Sequence, residues 1–254
     1  MTEDEKDYLR TRIGWSTADT ITVAGRDLAN DLMGNLTLTE LAYLLIVGRQ
    51  PTPGERRIVD AVLVSLADHG ITPSSLATRL TYTGAPEAVQ GAVAAGLLSA
   101  GSVFLGPAGD TAQFLSEVLT AGTDARSAVA ALVSAGRRVP GLGHPVHKER
   151  DPRTARLYAL AEEEHVLGPH MELLRSVADE YAAVAGRRLP INGAGAAGAA
   201  LADVGFPPVT VRGVVLIART AGLVAHLTEE AERPIGMPLW LEAERRASGH
   251  AAEA

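Results

Sequence analysis

Along most of the chain apolar side chains return every three or four positions, the spacing of helices that bury one face. Ile58, Val62, Leu63 and Leu66 form such a stripe behind Pro53-Gly54-Glu55, and proline suits a first helical turn. Before it, Thr39 is placed to cap a helix with Leu41, Leu44 and Leu45 on its inner face, stopped by Gly48 and Pro51. Helical spacing continues through residues 73–79, 88–98, 111–119 and 125–135, the last two joined by a turn in which Asp124 is a capping residue. A helix opened by Pro152 buries Leu157, Leu160 and Ala161; residues 171–185 present Leu174, Val177 and Tyr181 on one face. Residues 192–201 read as a Gly/Ala helix. Residues 209–227 are the most apolar stretch, interrupted by Arg212, Arg219 and His226. Period two appears only at residues 20–23, a β-branched run ended by Gly25 that reads as half of a small hairpin, followed by a helical turn at 28–33. The first sixteen residues are charged and expected to be poorly anchored, and the tail after Pro238 is expected at the periphery. The fold class is therefore all-α, with minor short strands near the N-terminus.

Composition sharpens this picture. Hydrophobic residues make up 46% of the 254 positions but aromatic ones only 4%, so the core is built from Ala, Val and Leu, and helices can approach closely. Gly91 and Gly96 inside one helix cost about 1 kcal/mol each against alanine; close contact with another helix, within the chain or across a dimer axis, offsets this. A net charge of −7 argues against general nucleic-acid affinity. The absence of cysteine excludes disulfides and thiolate metal sites. The acidic, polar N-terminus does not read as a signal peptide, and no uninterrupted apolar run reaches the roughly 18 residues of a membrane span. A cytoplasmic protein without membrane association is the expectation. No internal repeat and no long linker divides the chain.

The chemistry concentrates in residues 139–156, VPGLGHPVHKERDPRTAR. Pro140, Gly141 and Gly143 keep this segment irregular, so that His144 stands on a loop beside bare peptide N–H groups, with Lys148, Arg150 and Arg153 close behind. It reads as a device for holding an anion and for moving or stabilising a proton. His69 beside Asp68, at the end of a helix where Gly70 can take the left-handed cap, suits either a helix-end cation or an acid–base group. Arg219 in apolar helical text requires a charged partner, either a structural carboxylate or a ligand's carboxylate gripped by the guanidinium fork. His226 reads as a packing histidine. Two other patterns carry no function. Gly193-Ala-Gly195-Ala-Ala-Gly198 matches GxGxxG but lacks both the preceding strand and the later acidic residue of a dinucleotide site, so close helix packing is the reading. His144-x-x-His147 suggests zinc, but no third ligand is evident, and no metal is assigned.

These pieces together resemble the citrate synthase superfamily. Pro140-Gly-Leu-Gly-His144 followed by Asp151-Pro-Arg153 is similar to its GxGH…DPR signature, and Ile217-Ala-Arg219-Thr-Ala-Gly222 with Ala225-His226 and Arg233-Pro234 to its late arginine helix. Residues 41–51 resemble its early helix. Ala67-Asp-His69-Gly70 with Arg79, and residues 96–101, look more like the citryl-CoA lyase branch, including the lyase module of ATP-citrate lyase. The likeness runs from about Thr20 to Pro234.

The resemblance implies a multi-helix fold with a large domain (residues 1–105 and 211–254) and a small one (106–210) closing over the site, in a homodimer or higher even oligomer. It implies cleavage of a hydroxy-polycarboxylic acyl-CoA such as citryl-CoA to acetyl-CoA and a keto acid such as oxaloacetate, or the reverse, with a coenzyme A thioester as substrate or product and neither metal nor redox cofactor. By position, His144 donates to the oxygen of the keto-acid half and His69 polarises the thioester or shuttles a proton. Arg79, Arg153, Arg219 and Arg233 bind carboxylates, Arg233 toward a partner subunit. Val139, Gly141, Leu142 and Gly143 border the CoA adenine, with Lys148 near its phosphates. An enolate needs a donor at its oxyanion, and imidazole exchanges protons near neutrality.

The sequence departs from the family at three places. Gly109 stands where synthases carry a histidine, Pro145 replaces an arginine frequent in lyases, and Ala194 occupies the place of the family's catalytic aspartate. Asp68 and Asp110 stay open as bases. Two alternatives follow: a catalytically silent CoA-thioester-binding protein, or a changed reaction such as thioester hydrolysis or another acyl-CoA condensation.

Overall fold

Helix caps written in the sequence set the first half of the chain. The computed structural model describes residues 11–251, so the acidic residues 1–10 lie outside it. Strands β1 (Gly14–Ser16), β2 (Ile21–Val23) and β3 (Arg26–Asp27) form a small antiparallel meander with Trp15 opposite Thr22. The expected hairpin thus gains a third strand, drawn partly from the segment expected to be poorly anchored. A π-helical turn, Leu28–Leu32, follows.

Helix α1 (Leu38–Val47) is capped by Thr37 rather than Thr39. Thr37 has Glu40 three residues on, and each side chain satisfies the other's backbone N–H; Thr39 is followed at that spacing by Ala42, which cannot reciprocate. The same box, Thr52 with Glu55, opens α2 (Pro53–Ala67), and Thr72 with Ser75 opens α3 (Pro73–Gly84). Then come α4 (Val89–Ser99), a π-helical turn (Gly101–Leu105) and α5 (Gly106–Ala121), the last two together bent by 67° from α4. The remaining helices are α6 (Ala125–Ser134), α7 (Pro152–Glu163), α8 (Pro169–Ala185), α9 (Gly193–Asp203), α10 (Pro208–Glu232) and α11 (Gly236–Ala251). The expected pattern break at 101–109 is instead the π turn and the first turn of α5. The C-terminal tail forms a helix against α3.

One hydrophobic cluster runs from Tyr43, Ile58 and Val62 through Leu115, Leu157 and Leu174 to Leu201 and Val215, on both sides of positions 105 and 211. At its centre lies α9, packed against α2, α5, α7 and α8, with Ala196, Ala197 and Ala199 fully buried. Its glycines permit this. A Cβ on Gly195 would lie 2.5 Å from the Gly141 Cα, one on Gly193 would lie 2.5 Å from Arg153 Nε, and one on Gly198 would strike the Ala108 carbonyl. The GxGxxG pattern is therefore a packing device. Gly96 serves likewise, against Thr78 and Leu223 of the same chain; Gly91 meets only Ala88. Helix α10 is long and apolar enough by composition to cross a bilayer, but its Ala218, Arg219, Gly222 and His226 face α2 and α3 inside the fold.

Candidate functional site

The loop between α6 and α7 is pinned from below by the strand-like run ahead of α9. Gly143 N–H donates to the Pro190 carbonyl (2.7 Å), Asn192 N–H to the Gly141 carbonyl (2.9 Å), and the Asn192 amide Nδ2 to the Gly143 carbonyl (2.8 Å). Leu142 and Ile191 form an isolated antiparallel bridge. Gly141 and Gly143 both sit at φ +83°, in the left-handed region that favours glycine. Val139 is buried, and Leu142 packs on the core. The peptide groups expected to be bare here are thus largely engaged within the protein. Lys148 and Arg150 point to solvent.

Three imidazoles meet above this platform. His69 lies beyond the end of α2, which stops at Ala67, so it stands on a connecting turn and not in the helix. That turn carries it to His144, with ring centroids 5.7 Å apart and nearly perpendicular. His147 stacks on His144 at 4.5 Å and lies 6.1 Å from His69. One ring nitrogen from each lies within 4.8 Å of the others. The third ligand that the sequence did not reveal is therefore His69, but two facts oppose a metal. The backbone N–H groups of Val146 (3.1 Å) and His147 (3.0 Å) both donate to His144 Nδ1, which places the proton of the neutral ring on Nε2, where a metal would bind. The neighbouring guanidinium groups also repel a cation. Burial first, then Arg153, His147 and Arg219, push the His69 imidazole below its usual value; burial and His147 do the same to His144. His69 and His144 are thus biased toward their neutral forms, with His144 as a fixed donor.

The four arginines expected to bind carboxylates differ. Arg219 is 6% exposed, and its Nε and Nη1 have no hydrogen-bond partner among the described residues. Burial and then Arg153 work against its charge, and only the field of Asp68 favours it. Arg153 forms a fork with Asp151 (Nε–Oδ1 3.0 Å, Nη2–Oδ2 2.8 Å) and keeps a partly exposed side chain. Arg79, expected to bind substrate, is instead a structural ion: it is 1% exposed and bonded to Glu230 (2.9 Å), to Glu229 and to His226 Nδ1. The reason is distance in sequence, since the acids that claim it lie about one hundred and fifty positions on. Arg233 is exposed at the end of α10.

The carboxylates near the cluster are occupied. Asp151 is fully buried; burial would raise its carboxyl, but the Arg153 fork and the Gly193 N–H (2.8 Å) outweigh this and hold it at about 2. It ties the start of α7 to the start of α9, a role the sequence, where it stands only as part of the Asp151-Pro-Arg153 motif, did not disclose. Asp68 accepts from His226 Nε2 and from Gly70 N–H, both at 2.8 Å. Asp110 is exposed at the start of α5, and Ala194 packs against the core. The arrangement can hold an anion at Arg219, donate a hydrogen bond from His144 Nε2, and exchange a proton with His69 or His147.

Comparison with known proteins identifies the family. Residues 17–238 match the family model for the citrate synthase C-terminal domain. The structure of citryl-CoA lyase from Hydrogenobacter thermophilus is 34% identical and superposes with a TM-score of 0.82 over 87% of this chain and 86% of that one. A Mycobacterium tuberculosis protein named "Putative citrate synthase 2" is 33% identical over 189 residues, 71% of this chain and 49% of its own length. The chain thus spans about half the length of that curated relative. ATP citrate lyase from Methanosaeta concilii, solved with (3S)-citryl-CoA, shares the fold with a TM-score of 0.74 at 20% identity, over 91% of this chain and 42% of that one. The all-α expectation and the citrate synthase-like architecture hold.

Proposed function

This chain belongs to the citrate synthase family, and from that premise we propose that it is a carbon–carbon lyase of the citryl-CoA type, splitting a hydroxy-polycarboxylic acyl-CoA into acetyl-CoA and a keto acid such as oxaloacetate. The observation that carries the reading is Arg219, a buried guanidinium with two unpaired nitrogens beside the imidazole cluster. A buried charge without a partner is costly, and a substrate carboxylate supplies a partner that the fold omits.

In the proposed reaction Arg219 and Arg153 hold the carboxylates. His144 Nε2–H donates to the oxygen that becomes the keto carbonyl, the geometry of an oxyanion stabiliser. His69 stands near the same atoms for proton exchange. The thioester portion lies along residues 139–143 with Lys148 toward the phosphates. Arg233 completes a partner's site in a homodimer, and residues 106–210 close as a unit over the cleft. No metal or redox group takes part, and a cytoplasmic setting belongs to the same proposal.

The test is to supply citryl-CoA and follow oxaloacetate through NADH oxidation by malate dehydrogenase, with acetyl-CoA confirmed by mass spectrometry. One observation favours a second reading. Ala194 leaves the family's carboxylate position empty, as in a protein that binds acyl-CoA without turning it over. Tight citryl-CoA binding without products supports that reading and overturns the first. A mass-spectrometric product scan over other acyl-CoA and keto-acid pairs distinguishes a changed reaction, such as thioester hydrolysis.

A further inference from the structure

A lyase of this kind must move a proton between the hydroxyl oxygen and the carbon that becomes the acetyl methyl, and the usual carboxylate for that task is replaced by Ala194. Among the described residues, the carboxylates beside the cluster, Asp151 and Asp68, are both engaged within the fold. Asp151 is fully buried and holds Arg153 and the Gly193 N–H; Asp68 holds His226 and the Gly70 N–H. His144 cannot serve either, because two backbone N–H groups occupy its Nδ1 and leave Nε2 as a donor.

We infer that His147 exchanges the carbon-bound proton. The inference rests on the lyase reading above and deepens it. His147 is half-buried, stacks on His144 at 4.5 Å, and offers a ring nitrogen within 4.8 Å of those of His69 and His144. It therefore flanks the donor that marks the keto oxygen, on a loop held by the contacts of residues 141–143.

In cleavage the hydroxyl proton passes to His69, the C–C bond breaks as the C=O double bond forms, and its electron pair moves into the thioester enolate. The proton crosses from His69 to His147, directly or through one water. His147 then delivers it to the enolate carbon, giving the methyl group of acetyl-CoA. One proton leaves oxygen and one arrives at carbon, so no further reactant is needed. In condensation His147 takes the methyl proton.

The test uses the full chain with acetyl-CoA and oxaloacetate in D2O, reading deuterium entry into the acetyl group by mass spectrometry, alongside citryl-CoA cleavage. His147→Gln should lower both by about 100-fold or more, the range of a general acid–base group, while CoA affinity changes by less than about threefold. Added imidazole should restore His147→Ala in part, which a purely structural role does not allow. Three results overturn the inference: both rates within about threefold of the parent in His147→Gln; a loss that comes with lost CoA binding and no imidazole rescue; or a parent activity abolished by chelator and restored by zinc. A parent chain that neither cleaves nor exchanges refutes the lyase reading itself, and His147 with it. An active parent with an unaffected His147→Gln refutes the role of His147 alone.

Discussion

Arg219→Met offers a test in which stability and binding move in opposite directions. In the ligand-free protein Arg219 is 6% exposed, with Nε and Nη1 unpaired, and Asp68, whose field favours it, is hydrogen-bonded to His226 and Gly70. An ion in that position retains a desolvation penalty of several kcal/mol, only partly offset by a neighbouring field. Methionine keeps the packing of an unbranched side chain without the charge. The variant should therefore be more stable than the parent without ligand, by about 2 kcal/mol, or roughly 4–8 °C in Tm for a chain of this size. Binding of oxaloacetate should weaken by about 2–5 kcal/mol, roughly 30- to 5,000-fold in Kd. Differential scanning calorimetry with and without oxaloacetate, and titration calorimetry of the ligand, read both effects. A variant that is less stable by 2 kcal/mol or so without ligand, or one that binds oxaloacetate as tightly as the parent, refutes the reasoning, since Arg219 would then have a structural partner or no ligand.

Asp151 provides a pH prediction. Its folded carboxyl lies at about 2 against an ordinary 3.8, so its stabilisation is complete above pH 3.8 and disappears as pH falls toward 2. The difference amounts to about 2 kcal/mol, and Asp151→Asn should lose that much at pH 7 in urea unfolding and lack this part of the acid transition; equal acid curves for both proteins refute it. Arg79→Leu leaves Glu230, 2% exposed, without its guanidinium and should cost about 3–5 kcal/mol, while oxaloacetate affinity of the folded fraction stays within about threefold; a selective loss of affinity would return Arg79 to the substrate site. Gly195→Ala places a methyl 2.5 Å from the Gly141 Cα and should cost about 1–3 kcal/mol, whereas Gly91→Ala, with only Ala88 at 3.6 Å, should gain about 0.5–1 kcal/mol. Equal melting temperatures for the two variants would contradict the packing role of α9.

The parts that sequence reading captured are those with local causes. Helical spacing, Pro at first turns and the Gly-Leu-Gly loop are decided within a few residues, and the structure places α2, α7, α8 and α9 close to where those signals put them. The motif residues His144, Arg153 and Arg219 are legible for the same reason. What escaped depends on long-range packing. Nothing near Arg79 announces Glu229, Glu230 and His226, which meet it across α3 and α10. The early start of α5 at Gly106 runs against the helix propensity of Gly-Pro-Ala-Gly, and close packing on α9 overrides it. His147 was visible as a histidine, but its partner His69 lies on another element, so the cluster appears only when the turn after α2 is folded onto the loop. The end of α2 at Ala67 has a comparable cause: a Cβ on Gly222 would strike the Ala67 carbonyl, so α10 crosses at that point and the chain turns away there.

The most direct measurement of the central claim is a structure of the chain soaked with oxaloacetate and CoA. One carboxylate should lie against the Arg219 guanidinium, across its Nε–Nη2 edge, and the keto oxygen should accept from His144 Nε2. Oxaloacetate bound elsewhere, with Nε and Nη1 of Arg219 still unpaired and His144 facing solvent, would contradict the account.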